Sequence, residues 1–340
     1  MAANWTPGLI SFFCVLICVP IVHALCNRWK LHDVPGPLKI HAKPIARLGG
    51  IAIGLGLLVG AEFKMGHSMQ ILGSWLAAFS VIWLAGLVDD LGGLPPFVRL
   101  VAQVVSGILL WFGGWRLPLD LPAFLNCILI CAIVILFVNG FNFLDGADGL
   151  AAGVTAIVAA GYIFADGTTG DALGITVAWA ALGACVGFLL FNFPPAKIFM
   201  GDSGSTLLGF CVAYLSINFV SHIPARSSLT QWLFPVLTAA LPLVDGMVVV
   251  LQRIKHGQSA FKGDRSHYYD FLLARGWSAR SVAVGSYVLT SLLCAMGLWI
   301  LRIGAKPVVI LLVATATGIG IVSFSRLPSR GRGAEASVNH

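Results

Sequence analysis

Charge is what this sequence has least of. Only 10% of its 340 residues are Asp, Glu, Lys or Arg, against 58% hydrophobic ones. A soluble domain carries about 25% charged residues, and a chain this long would need polar surface for more than one domain. That excludes an ordinary water-soluble enzyme and makes the bilayer the natural solvent. Paired cysteines are also missing. Cys14, Cys18, Cys26, Cys127, Cys131, Cys185, Cys211 and Cys294 lie in or beside apolar runs, and none forms a C-x-x-C unit. This excludes a zinc or disulfide framework and leaves them as helix-packing residues. No basic residue precedes the first apolar run; Arg28 and Lys30 follow it. A signal peptide wants its positive charge first, so the run is expected to persist as a helix with its N-terminus outside. Internal repeats are absent as well, and only Ser329 to His340 has the composition of a disordered tail.

What the chain does have is apolar runs of membrane-spanning length. A hydrocarbon core of about 30 Å needs roughly 20 residues of helix. Eleven spans are predicted, at 8–27, 49–66, 71–88, 98–115, 122–139, 150–165, 172–191, 204–221, 231–252, 280–301 and 305–324. The fold class is therefore an all-α polytopic membrane protein, N-terminus outside and C-terminus cytoplasmic. One catalytic domain covers 1–328, its site built by loops 28–48, 89–97, 140–149, 192–203 and 253–279, followed by a cytoplasmic tail at 329–340. With this orientation only Lys64, Arg116, Arg226, Arg302 and Lys306 of the 21 basic residues lie outside, as the positive-inside rule requires. The net charge of +7 thus reflects topology, and its scatter over short loops argues against a nucleic-acid partner.

The acids follow the bases to the same face, which positive-inside targeting does not explain. Asp89 and Asp90 end the third span, where adjacent carboxylates repel unless a cation or base offsets them. Asn139, Asn142, Asp145 and Asp148 recur every three residues along one edge, interleaved with glycines. Their oxygens suit a hard cation such as Mg²⁺. Phe199-Met-Gly-Asp202-Ser-Gly-Ser205 leads into the eighth span, and such a helix start offers backbone N–H groups to an anion. The plain alternatives are a solvated helix end, an Asx-rich turn and a capped helix. The loop from Arg253 to Ala279 carries Arg253, Asp264, Arg265, His267, Tyr268 and Tyr269, and Arg matches phosphate oxygens with its forked charge. A smaller basic segment with Lys39, His41, Lys43 and Arg47 could attract phosphate or anionic lipid headgroups. Asp33, Asp270 and Glu335 read as ordinary loop charges, with Asp245 and Asp264 as supports for Arg253 and Arg265.

These segments, in this order, resemble the polyprenyl-phosphate N-acetylhexosamine-1-phosphate transferase family. The most specific are Asn142-x-x-Asp145-Gly-x-Asp148-Gly-Leu and Phe199-Met-Gly-Asp202-x-Gly-Ser205, and the likeness runs from about Lys39 to Tyr269. The resemblance implies that a polyprenyl phosphate oxygen attacks the β-phosphorus of a UDP-N-acetylhexosamine and releases UMP. It implies Mg²⁺, with Mn²⁺ as a substitute, held by Asp202 and Asn142. Asp89 and Asp90 would orient or deprotonate the lipid phosphate, whose second pKa near about 6 asks little of a base. Asp145 and Asp148 would shape the uridine and metal pocket, Arg99 would bind phosphate, and Arg265 and His267 would clamp the diphosphate. Lys39, His41, Asn139, Ser205, Arg253 and Asp264 complete the expected substrate-binding set. The implied partners are undecaprenyl phosphate, the sugar nucleotide, membrane lipid and, as a further option, a second copy in a homodimer. Many bacterial members close the last motif with His-x-His-His; this chain has His267-Tyr268-Tyr269. That ending resembles members that begin O-antigen or other surface polysaccharides in the bacterial inner membrane, some of which use deoxy-amino sugars. The competing expectations are phospho-MurNAc-pentapeptide transfer in peptidoglycan synthesis, a transporter or flippase for an anionic lipid-linked substrate, and a non-catalytic scaffold.

Overall fold

In hydrocarbon every backbone N–H and C=O must find its partner within the protein, so apolar runs become helices. The computed structural model describes residues 5–36, 43–62, 69–166, 172–222, 230–259 and 265–303. The helices are α1 (Thr6–Trp29), α2 (Gly49–Glu62), α3 (Met69–Gly92), α4 (Pro96–Phe112), α5 (Ala123–Leu144), α6 (Leu150–Asp166) and α7 (Ala172–Asn192). They continue as α8 (Gly201–His222), α9 (Thr230–Thr238), α10 (Ala240–Lys255), α11 (Tyr268–Ala274) and α12 (Ala279–Ile303). A two-residue hairpin of β1 (His32–Asp33) and β2 (Ile45–Ala46) pairs antiparallel, His32 opposite Ala46.

The chain is a multi-pass membrane protein. Among the described residues six helices are long and apolar enough to cross a bilayer, and the bent pair α9–α10 would make a seventh. The predicted count of eleven is not reached on this measure. The spans expected at 49–66, 98–115 and 150–165 appear as apolar helices of 10–17 residues, and the run at 305–324 lies outside the described residues. The ninth expected span is broken into two helices bent by 70° at Ala239. Pro242 explains the break, because it offers no N–H to the carbonyl four residues back and its ring crowds that carbonyl.

Burial follows composition. Helix α8 is buried on all sides and sits in the middle of the bundle, packed by α3 and α5 and flanked by α2, α6 and α7. Helix α1 shows the opposite case. Packed on α2 and α7, it buries Val15, Val19, Val22 and Cys26, whereas Phe13, Ile17, Ile21 and Leu25 are exposed. An exposed apolar row of this length belongs against lipid.

Candidate active site

The predicted loops are shorter than expected, because helices run into them. Asp89 and Asp90 lie inside the last turns of α3, Asn142 inside the last turn of α5, and Asp202 in the first turn of α8. Asp145 is the C-cap of α5. Helix ends are therefore what hold these side chains at one end of the bundle. There they border a cavity of about 1180 Å³. Its polar wall includes Asp90, Arg99, Asn139, Asn142, Asp145, Asp148, Asp202, Arg253 and His267. Its apolar wall comes from α4, α5 and the bent α9–α10 pair, with Leu100, Leu136, Val236, Leu243, Met247 and Leu251. Asp89, Ser205 and Arg265 lie outside this lining; Arg265 is exposed. Lys39, His41 and Asp264 fall outside the described residues.

The carboxylates differ in what they touch. Asp90 Oδ1 accepts from Arg47 Nη2 and from the backbone N–H of Asp202, both at 2.9 Å. Its Oδ2 accepts from the N–H of Ser203 at 3.0 Å and from Ser203 Oγ at 2.6 Å. Asp90 is thus the cap of α8, reached from another helix. The anion seat expected at the start of α8 already holds an anion, and it belongs to the chain itself. Gly201 makes this approach feasible: its φ is +71°, and a Cβ there would stand 2.5 Å from Asp90 Oδ1. Asp89 Oδ1 accepts from the N–H of Leu94 at 2.6 Å and Oδ2 from Arg99 Nη1 at 3.0 Å, closing the turn between α3 and α4. Asp148 accepts from the N–H of Ala196 at 2.9 Å.

Asp145 and Asp202 are another matter. Among the described residues no donor is in hydrogen-bond reach of either carboxylate. Burial raises the Asp145 pKa well above the ordinary carboxylate range, and the charges of Asp202, Asp90, Asp148 and Asp33 push it further. Asn142 Oδ1 accepts from Ser205 Oγ at 2.6 Å, tying α5 to α8 and aiming the amide. Asn139 is committed to structure, donating to Gln103 Oε1 at 2.8 Å and to the carbonyl of Ile135 at 2.7 Å.

Among the described residues no three His, Cys, Asp or Glu side chains converge as a metal cage. Mg²⁺ rarely asks for one, since it keeps waters and takes one or two carboxylates plus substrate phosphates. Oxygens of Asp202 and Asn142 fit that manner of binding, beside carboxylates whose mutual repulsion a cation would relieve.

Several contributors escaped the sequence. Asp33, read as a loop charge, borders the cavity. Asp245, read as a support for Arg253, bonds to His267 Nδ1 at 2.7 Å. Asn192 holds the N–H of Gly149 and the carbonyl of Ile198. A lone amide in an apolar helix, as at Gln103, was the available signal.

Known proteins resemble this chain. Residues 72–220 match the model of glycosyl transferase family 4. The chain is 31% identical over 321 residues to the decaprenyl-phosphate N-acetylglucosaminephosphotransferase of Mycobacterium leprae, covering 83% of this chain and 79% of that protein. It belongs to the polyprenyl-phosphate N-acetylhexosamine-1-phosphate transferase family. Within that family it is also similar to the probable undecaprenyl-phosphate N-acetylglucosaminyl 1-phosphate transferase of Bacillus subtilis, at 27% identity over 83% of this chain and 80% of the relative. The undecaprenyl-phosphate alpha-N-acetylglucosaminyl 1-phosphate transferase of Escherichia coli is 27% identical over 80% of this chain and 77% of its own. The family match spans α3 to α8, and so includes Asp89, Asp90, Asn142, Asp145, Asp148 and Asp202.

Proposed function

We propose that the protein transfers N-acetylhexosamine-1-phosphate from a UDP-sugar to a polyprenyl phosphate, releasing UMP, as the first lipid-linked step of surface polysaccharide synthesis. The relatives' names make N-acetylglucosamine the first hexosamine to try and undecaprenyl phosphate the first acceptor. The observation that carries the proposal is the two-sided cavity, whose carboxylate and amide end runs directly into an apolar wall. That combination suits an acceptor with a phosphate head and a long hydrocarbon chain. The positive-inside bias supports a cytoplasmic position for this end in a bacterial inner membrane, where sugar nucleotides are found.

In the reaction an oxygen of the lipid phosphate attacks the β-phosphorus, and the bond from that phosphorus to the bridging oxygen of UMP breaks. The lipid phosphate is largely dianionic at neutral pH, so placement and charge neutralisation carry most of the work. Mg²⁺, when bound, supplies the positive charge that offsets the phosphates. Asp202 and Asn142 would hold it, with Asp145 beside them as a further anionic neighbour. Arg99 and Arg253 line the same cavity and would steady phosphate oxygens. Asp90 and Asp89 act through α8 and the α3–α4 turn, keeping the metal-binding helix ends in register.

The test is purified protein in lipid nanodiscs with undecaprenyl phosphate, Mg²⁺ and a panel of UDP-sugars that includes UDP-MurNAc-pentapeptide. UMP release with a UDP-N-acetylhexosamine, and a lipid-linked sugar of matching mass, is the expected result. Release with the pentapeptide alone would move the protein to peptidoglycan synthesis. No release with any donor would sink the transferase and favour a transport role.

A further inference from the structure

His267 is the buried histidine of the α10–α11 corner, and its surroundings are more ordered than a phosphate clamp requires. Its Nδ1 lies 2.7 Å from Asp245 Oδ2, with the two side chains 7% and 2% exposed. Asp245 Oδ1 accepts from the backbone N–H of Tyr268 at 2.9 Å. The Tyr269 ring stacks on the imidazole at 5.2 Å with 3° between planes, and its hydroxyl donates to the carbonyl of Phe143 at 3.0 Å. Phe143 covers the ring at 5.4 Å and carries the Arg253 guanidinium at 5.5 Å on its own face. Among the described residues the charged and titratable groups around the imidazole are Asp245 and Arg253 from α10, Asp270, Tyr268 and Tyr269 from α11, Arg265 before it, and Asp145 at the end of α5.

A carboxylate has no proton to give, so the short contact makes His267 Nδ1 the donor. With Nδ1 turned to Asp245, the ring edge left for the cavity carries Nε2. We propose that Asp245 is a positioning residue that holds the His267 proton on Nδ1 and so presents Nε2 to the phosphate-bearing part of the substrate. Given the transfer reaction proposed above, on which this inference rests, Nε2 is the atom that meets a diphosphate oxygen or the proton it carries. The 70° bend between α9 and α10 belongs to the same device. It turns α10 so that Asp245, buried in an apolar helix, meets the start of α11.

Asparagine separates this from a merely structural role. In Asp245→Asn the amide oxygen still accepts from Tyr268, but the amide nitrogen then faces Nδ1 as a donor. The imidazole must accept there and move its proton to Nε2. Two measurements follow. In nanodiscs, ¹⁵N-histidine spectra of the wild type, with His267 assigned by its loss in His267→Gln, should show a protonated Nδ1, and Asp245→Asn should show it deprotonated. This arm needs no turnover, so it stands apart from the transferase assay. An unprotonated Nδ1 in the wild type, or no change in the variant, would overturn the inference. In the UMP-release assay Asp245→Asn should lower kcat/KM about 10- to 100-fold, with Asp245→Glu recovering part of it. In a His267→Gln background Asp245→Asn should cost nothing further. Losses that multiply would show that Asp245 acts through another group, and the assignment would fall. A wild type with no turnover but a protonated Nδ1 would remove the proposed reaction and keep the Asp245–His267 pairing.

Discussion

Asp90 and Asp202 stand 112 positions apart in sequence and meet at the start of α8, yet the two are opposites. The Asp90 carboxylate takes four hydrogen bonds, one from Arg47 and three from the α8 start. The Asp202 carboxylate takes none among the described residues. The same division runs through the whole site. Asp89, Asp148 and Asp245 each accept from a backbone N–H, while Asp145 shares the condition of Asp202. Asp145 and Asp202 are half-buried in the cavity wall, where a carboxylate without protein donors still needs partners for its charge. Two such groups beside a cavity are open to something that arrives from outside. The contrast teaches that an acidic motif is not one functional unit: some of its members build the site and others are left open to the ligand.

The sharpest break of this division is a pair of substitutions. Asp202→Ala should reduce UMP release about 10³-fold or more, as for loss of a key charge in phosphoryl transfer. It should leave thermal unfolding in detergent nearly unchanged, because its side chain braces nothing. Asp90→Ala should also lose activity, but through the fold. It removes the cap of α8 and leaves Arg47 facing buried donors, a loss of about 3 kcal/mol. A stable Asp90→Ala protein, or an unfolded Asp202→Ala protein, would erase the distinction.

Asp145 sharpens it through pH. Burial and its carboxylate neighbours raise its pKa above the ordinary value of 3.8. A carboxyl whose pKa is raised on folding favours the folded state when protonated. That contribution is whole below the ordinary pKa and is lost as pH rises through the raised one. Without divalent cations, Asp145→Asn should therefore raise the unfolding temperature near neutral pH and change it little near pH 4, while lowering turnover. Equal stabilisation at both pH values would show that Asp145 is braced after all.

Much of this was legible in the sequence, for physical reasons. Scarce charge and long apolar runs mark a membrane bundle whatever its packing, and Asn142, Asp145, Asp148 and Asp202 stand out because amides and acids are rare beside such runs. What was hidden depends on contacts between distant segments. The capping of α8 by Asp90 needs α3 beside α8, and the pairing of Asp245 with His267 needs the bend at Ala239. Apolar periodicity carries no record of either. Pro242 did signal a break in the ninth span, but proline is tolerated inside membrane helices when neighbours satisfy the freed groups. Helix ends were placed too early, so Asn142 and Asp90 looked like loop residues although the last turns of α5 and α3 aim them.

Tyr269 gives the finest test, because it braces the site without belonging to its charge. Its hydroxyl reaches the carbonyl of Phe143, one residue beyond Asn142, and its ring lies flat on His267. Gly146 leaves the room for this, since a Cβ there would stand 1.9 Å from the hydroxyl. Tyr269→Phe keeps the ring and removes one hydrogen bond, so stability should fall by about 1 kcal/mol. The cavity loses no charge, and kcat should change less than KM, whose rise would report a looser end of α5. A fall in kcat as deep as that of Asp202→Ala would instead place the hydroxyl among the groups that meet the substrate, and Tyr269 would move from the braced side of the comparison to the open one.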